Sequence, residues 1–560
     1  MKKILLALAL IGAAACSTQA PAPCDVIFDT DANNELDDQH AIAYLLMNPE
    51  TFRTLGITTN NTRNGGGIAG QSEEARRIIT LCGKWGEGIE VYDGAEASFE
   101  DITGTISDPE FDGHAAVDFI IETARKYSPA SKLTLIAVGK LTNVALALQK
   151  APEIAPNIRL VWLGSNYPKP GEYNLVDDIP SMNYVLDTDV DFEMVTVRGH
   201  ESSGTDAVRV SIDYAKDVFA GKGPQMETPV TGRHGGEFSC FGDYSVNLFE
   251  NIKKRKGTRA LYDLCAVAIV KNPGWASKVE IPAPTMVEGE WVDRPDNARK
   301  IVLWENFDKN GIVGDFVATL NKASGLPEPK LIAFDLDATL TAHRCPLDSV
   351  NRALLDRLCE KYEVIMCCAG TCERVYKQMG EYPITILGNY GMQESHMVDG
   401  VFTVVREEIM PADTAYFLEK TQYLREKYGY TKYYGDPVEF HKTGMVTFGL
   451  LGTQAPVEEK HAFDPDRSKR RVMYEEVCSL FPDYSVYIGG SSSFDFSGAQ
   501  YNKYDATLNY ANANGYKLED ILFVGDDMGD GGGDSHVRIK GMRYVLVKDY
   551  TKVSEDLCWL

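Results

Sequence analysis

Two short acidic runs are the places where closely spaced side chains of this chain could do chemistry. The first is Asp29-Thr-Asp31-Ala-Asn-Asn-Glu35-Leu-Asp37-Asp38, with five acidic groups within ten residues. Carboxylates packed this closely resist ionising together. A divalent cation removes that penalty, and all-oxygen donors suit calcium or magnesium. A helix N-terminus with Asp in its first turn would account for one or two of the five. The second run is Asp335-Leu-Asp337-Ala-Thr339. Carboxylates two residues apart at a strand end point toward one site through the intervening turn. One can attack phosphorus while the other protonates the leaving oxygen. Far downstream, Gly525-Asp526-Asp527-Met-Gly-Asp530-Gly-Gly-Gly-Asp534 supplies acidic groups that would complete a magnesium site.

Each run follows an apolar stretch that reads as a strand: Cys24–Phe28, Lys330–Phe334 and Ile521–Val524. Strands alternating with helices imply parallel sheets covered on both faces. The expected class is therefore α/β, with two doubly wound, mostly parallel-sheet domains. Ligands of such sheets bind at the carboxyl ends of the strands, where both acidic runs fall. At 560 residues the chain is too long for one ordinary core. A Pro-containing connector over 323–329 separates a first domain at 24–322 from a second at 330–560.

The first run resembles the signature of nucleoside hydrolases, DxDxxxDD after the first strand, with two extra residues between its acidic pairs. Three further segments match in order. Leu135-Ile-Ala-Val138-Gly-Lys-Leu141-Thr142-Asn143 is similar to the family's strand and Gly-Pro-Leu-Thr-Asn turn. Gly171-Glu172-Tyr173-Asn174 is similar to its ribose-binding Glu-Phe-Asn segment, and Leu261-Tyr262-Asp263-Leu264 to its late His-Asp-Pro-Leu segment. The resemblance implies that Asp31, Asp38, Asp263 and the Val138 carbonyl hold Ca²⁺. It makes Asp31 the general base toward the attacking water. Asp37, Glu172, Asn174 and Asp263 would grip the ribose hydroxyls, with Asn60 or Asn61 as a further contact. Tyr262 stands where many members place a His that helps the leaving base depart, and Tyr is the poorer acid near neutrality.

The second segment resembles the haloacid dehalogenase superfamily, and within it the phosphomannomutase branch, over about 329–560. Ile488-Gly-Gly-Ser491-Ser-Ser493-Phe494-Asp495-Phe496 and Asn502-Lys503-Tyr504 carry the likeness beside Asp335-x-Asp337. The resemblance implies a Rossmann-like domain with an α/β cap inserted at about 391–487. It makes Asp335 the nucleophile that becomes an aspartyl-phosphate and Asp337 the general acid/base. Thr371 and Lys503 would neutralise phosphate oxygens. Asp335, Asp526 and the Asp337 carbonyl would hold Mg²⁺, with Asp534 nearby, while Ser493 and Asp495 would contact substrate. Arg406 stands as one of the branch's cap arginines. Two others are replaced within His441-Lys442-Thr443-Gly444-Met445 and Gly452-Thr453. That loss favours a phosphatase over a mutase.

A net charge of −25 argues against a nucleic-acid partner, whose phosphates demand clustered Lys and Arg. Lys2, Lys3, the apolar run Ile4–Ala15 and Cys16 read as an export signal, with Cys16 a lipidation candidate and 17–23 a tether. Periplasmic or lipid-anchored placement follows, with the membrane touched only through that anchor. The twelve cysteines show no zinc spacing and no disulfide framework. Three readings stand: an exported bifunctional hydrolase acting on nucleosides, nucleotides or sugar phosphates; a sugar-phosphate mutase or phosphatase with a non-catalytic sugar-binding domain; and a surface lipoprotein that only captures carbohydrate. A homo-oligomer is compatible with all three.

Overall fold

The structure, a computed structural model, describes residues 22–251 and 257–560, so the expected export signal lies outside the described residues. Among these, no helix is long and apolar enough to cross a membrane. Packing divides the chain into two units. One comprises the residues up to Ala207 plus Ala260–Phe307, and the other comprises Val208–Arg259 plus Asp308–Leu560. This differs from the single break expected over 323–329. The helix Lys309–Ala323 packs with the second unit because its apolar face is used there. Phe316 meets Phe219 edge-on at 5.4 Å, and a Cβ added at Gly314 would lie 2.4 Å from the Cys558 carbonyl.

The first unit is built on an eight-stranded sheet. Its order is Ser277–Pro282, Lys300–Glu305, Asp191–Val195, Ile158–Leu163, Leu133–Ala137, Cys24–Thr30, Phe52–Thr59, Val91–Tyr92. All neighbours are parallel except the edge pair 277–282 with 300–305. Leu133–Ala137 is buried throughout, as parallel strands covered on both faces must be. Strand order reverses at Cys24–Thr30, which lies between Leu133–Ala137 and Phe52–Thr59. A crevice opens at the carboxyl ends of strands where such a reversal occurs. The first acidic run emerges there.

The second unit repeats the logic with seven strands: Val401–Glu407, Gln393–Val398, Thr385–Gly388, Glu363–Cys367, Leu331–Phe334, Ile521–Gly525, Tyr544–Leu546. The reversal here falls at Leu331–Phe334, between Glu363–Cys367 and Ile521–Gly525. A separate antiparallel sheet joins Val438–Phe440, Val446–Gly449, Ser493–Gly498 and Tyr484–Tyr487. Phe417, Phe448, Phe481, Phe494 and Phe496 form a core of their own behind it. The insert therefore differs from the 391–487 expected. The hairpin 393–407 belongs to the seven-stranded sheet, because Gln393–Val398 pairs with Thr385–Gly388. Strand Ser493–Gly498 in turn belongs to the small sheet.

Candidate functional site

Site geometry in the first unit begins with register. Asp29 on Cys24–Thr30 lies opposite Thr58 on one side and Ala137 on the other. It accepts hydrogen bonds from Thr58 Oγ1 (2.6 Å), Asn60 Nδ2 (2.6 Å) and Asn143 Nδ2 (2.7 Å). Asp29 thus ties three strand ends together beneath the crevice. Burial raises its pKa to about 6 despite those donors. Just beyond, the chain turns into the helix Asp37–Leu46, all ten of whose residues are buried. A second helix, Tyr262–Lys271, packs against it and carries Asp263 in its first turn. Asp37, Asp38 and Asp263 then present oxygens within 4.8 Å of one another, all three side chains buried. The positive ends of both helix dipoles favour carboxylates at these positions.

Two of the trio, Asp38 and Asp263, are carboxylates the resemblance implied as cation ligands, and the third differs. Asp37 belongs to it, whereas Asp31 does not, although Asp31 lies close by. Burial raises the Asp31 pKa, and the charges of Asp38 and Asp37 raise it further. Its Oδ2 accepts from Thr62 Oγ1 at 2.6 Å. Asp38 accepts from Thr30 Oγ1 at 2.6 Å, and burial, then Asp37, raises its pKa to about 7. Three carboxylates buried at this density fit a hard divalent cation. The Val138 carbonyl accepts from Asn174 Nδ2 at 2.6 Å and keeps a second lone pair.

The residues expected on the ribose side come from other elements. Glu172 is strained at φ 125° and caps the helix Tyr173–Asp177, its Oε2 accepting from Ser165 N (2.9 Å) and Leu175 N (3.0 Å). Burial raises its pKa. Asn61 is committed elsewhere, donating to Glu96 Oε1 at 2.8 Å, whereas its neighbour Asn60 is the fully buried one. The Tyr262 hydroxyl donates to Asp206 at 2.5 Å. His40 is buried against the Leu36 carbonyl, and burial lowers its pKa to about 4, which keeps it neutral.

The second unit gathers Asp335, Asp526 and Asp534, again with oxygens within 4.8 Å of one another. Lys503 Nζ bridges Asp335 (2.8 Å) and Asp534 (2.7 Å), and Thr339 Oγ1 donates to Asp526 (2.8 Å). Asn502 caps the helix that starts at Lys503 by accepting from Asp505 N at 2.9 Å. Burial raises the Asp335 pKa to about 7, with Lys503 opposing and Asp534 and Asp526 adding to the rise. The Asp526 pKa is pushed to about 6 by burial, then by Asp534. Burial opposes the charge on Lys503, yet Asp335 and Asp534 hold its pKa well above the ordinary value.

Asp337 is placed differently from its neighbours. Its carboxylate accepts from Arg344 N (2.6 Å), Gln378 Nε2 (2.8 Å) and Arg374 (3.1 Å). Burial would raise its pKa, but Gln378, the Arg344 amide and Arg374 prevail and lower it. Thr371 is exposed and caps the helix Cys372–Gln378, accepting from Arg374 N at 3.2 Å. Arg406 does not reach over from a cap. It stands on the edge strand Val401–Glu407, bonded to Glu394 and Glu408, beside a cavity of about 370 Å³. Ser493 and Asp495 are held within the small sheet, bonded to the Gly489 carbonyl (3.0 Å) and Thr447 Oγ1 (2.9 Å).

Thr30, Asp29, Thr62, Asp206, Arg374 and Gln378 escaped the sequence reading. Only Asp29 and Thr30 lay inside a motif already singled out. Thr30 and the others act through contacts across 8 to 56 residues of chain, which spacing does not reveal.

Comparison with known proteins bears on the N-terminal half of the chain, which holds all of the first unit's described sheet and also the segments 208–259 and 308–323 of the second. Residues 26–323, just over half of the chain, match the family described as inosine-uridine preferring nucleoside hydrolase. The chain is similar to the non-specific ribonucleoside hydrolase RihC of Salmonella agona, 26% identical over 275 residues, 45% of this chain and 80% of that protein. It is also similar to the C1683.06c protein of Schizosaccharomyces pombe, 28% identical over 213 residues. That match takes in 33% of this chain and 65% of the yeast protein, a little under two-thirds of its length. Among solved structures, the purine-preferring ribonucleoside hydrolase from Gardnerella vaginalis is 20% identical, with a TM-score of 0.40, covering 53% of this chain and 98% of its own. With the strand-end aspartates and the family match falling on the same stretch, the chain belongs to the inosine-uridine preferring nucleoside hydrolase family.

Proposed function

We propose that the first unit hydrolyses the N-ribosyl bond of nucleosides with Ca²⁺, and that the second is a Mg²⁺-dependent phosphomonoesterase. The observation that carries the first reading is the buried trio Asp37, Asp38 and Asp263, with oxygens within 4.8 Å, at a sheet reversal point. Bound there, calcium would lower the pKa of a water toward neutrality. Asp31, beside the trio, is the base that takes the water's proton. Asn174 and Glu172 orient the ribose, and Tyr262 faces the departing base. Asp37 serves as a cation-site carboxylate, a role not expected from its motif.

The second reading rests on Lys503 bridging Asp335 and Asp534 beside Asp526. Asp335 attacks phosphorus, and Lys503 offsets charge on the phosphate oxygens. Asp337 must leave Arg374 and Gln378 before it can hand over a proton. Arg406 is occupied by Glu394 and Glu408, which favours phosphatase over mutase action. We place the enzyme outside the cytoplasm on the N-terminal pattern alone. A phosphate removed from a nucleotide would yield the nucleoside that the first unit cleaves.

The test is the full chain on inosine, uridine and their monophosphates, with Ca²⁺ and Mg²⁺ varied separately and Asp31→Ala and Asp335→Ala as controls. Ribose release lost only in Asp31→Ala, and phosphate release lost only in Asp335→Ala, would support the scheme. Release of neither product by the unaltered chain would end it.

A further inference from the structure

Asp31 stands outside the close carboxylate trio and begins a loop two residues longer than the family pattern, so something else must orient it. Thr62 is buried, and its hydroxyl donates to Asp31 Oδ2 at 2.6 Å. A hydroxyl has one proton and two lone pairs. With that proton given to Asp31, the Thr62 oxygen can only accept from Tyr173, whose hydroxyl lies 3.3 Å away. Tyr173 OH in turn accepts from Asn64 N at 3.1 Å. Arg63 covers the Tyr173 ring, its guanidinium 4.0 Å from the centroid, and pairs with Asp177 at 2.8 Å. The loop's far side is tied to the same stretch of chain. Asn33 N donates to Gln71 Oε1 at 2.6 Å, and Asn33 Nδ2 to the Gly65 carbonyl at 3.0 Å.

Resting on the nucleoside-hydrolase reading above, we propose that Thr62 is a positioning residue for Asp31, braced by Tyr173. Donation runs one way, from Tyr173 to Thr62 to Asp31. Bonds aligned in this manner polarise one another. The chain fixes the plane of the carboxylate and binds Oδ2, so Oδ1 is the oxygen presented to the attacking water. The contribution of Thr62 is orientation of Asp31. Misplacing a reacting group by about 1 Å costs on the order of 10²-fold in rate.

The experiment compares Thr62→Val, Thr62→Ser and Tyr173→Phe with the unaltered full chain, measuring kcat and KM on inosine or the best riboside found. Valine keeps the shape and removes the hydroxyl. The expected result is a kcat lowered roughly 10- to 100-fold in Thr62→Val with KM within about 3-fold, from loss of one hydrogen bond to a charged group. Thr62→Ser should recover kcat to within about 3-fold, and Tyr173→Phe should lose only about 2- to 5-fold, since Tyr173 acts at one remove. A merely structural role would lower folded fraction, seen equally in kcat for valine and serine. Unchanged kcat in Thr62→Val, with the unaltered chain active, would overturn this inference alone. An unaltered chain that cleaves no riboside would overturn the reading beneath it and this inference together.

Discussion

Removing the cation from the first site should destabilise the protein more as pH rises, and Asp38 sets the size of the effect. In the folded chain its pKa is raised from 3.8 to about 7, chiefly by burial. Ionising it there without a counter-ion therefore costs about 4 kcal/mol, at 1.36 kcal/mol per pKa unit. The folded state binds the proton more tightly than the unfolded one. Stability is thus highest below about pH 4, falls as pH rises toward 7, and levels off above. Asp29, raised to about 6, acts in the same direction. A cation that binds only the folded state restores stability, by about 2.7 kcal/mol at a hundredfold excess over its Kd. For a unit of this size that is roughly 5–10 °C in Tm. The assay is thermal unfolding of the full chain at pH 5 and pH 8, with EGTA or with millimolar CaCl₂. The calcium shift should be large at pH 8, small at pH 5, and absent in Asp38→Asn. An Asp38→Asn protein that keeps the full calcium shift would refute the reasoning. So would equal shifts at both pH values.

Three further outcomes follow from other contacts. Asp335→Asn should lower phosphate release from any active monoester by at least roughly 10³-fold while leaving riboside cleavage within about 2-fold, read by parallel phosphate and reducing-sugar assays. Arg470 is fully buried against Asp464 and also donates to the carbonyls of Gly489 (2.7 Å) and Ser493 (3.1 Å). Arg470→Met leaves Asp464 buried and unpaired, which should cost about 3–5 kcal/mol, measured as a lowered urea midpoint. A Cβ at Gly139 would lie 2.6 Å from Asn60 Oδ1, so Gly139→Ala should push Asn60 off Asp29. We expect a loss of about 1–3 kcal/mol and reduced ribose release, checked by thermal unfolding and kinetics.

The sequence by itself determined the α/β class, because runs such as Leu133–Ala137 are apolar on both faces and only a covered parallel sheet accepts them. It also determined that both acidic runs lie at strand ends, since each follows its strand without a break in the chain. Membership of Asp335, Asp526 and Asp534 in one cluster was legible for that reason.

The resemblance had already paired Asp38 with Asp263, and only the tertiary structure decided that Asp37 joins them. Asp263 enters the first site because the helix Tyr262–Lys271 packs its N-terminal turn against that of Asp37–Leu46, a contact across more than 200 residues. Through that packing Asp37 rather than Asp31 joins the trio. Strand pairing likewise decided that Arg406 lies on the edge of the large sheet rather than in the small one, because hydrogen bonding to Gln393–Val398 captures its strand. Local residue patterns specify which face of an element is buried. They carry no information on which distant element will cover it, and here that choice sets the donors of each site.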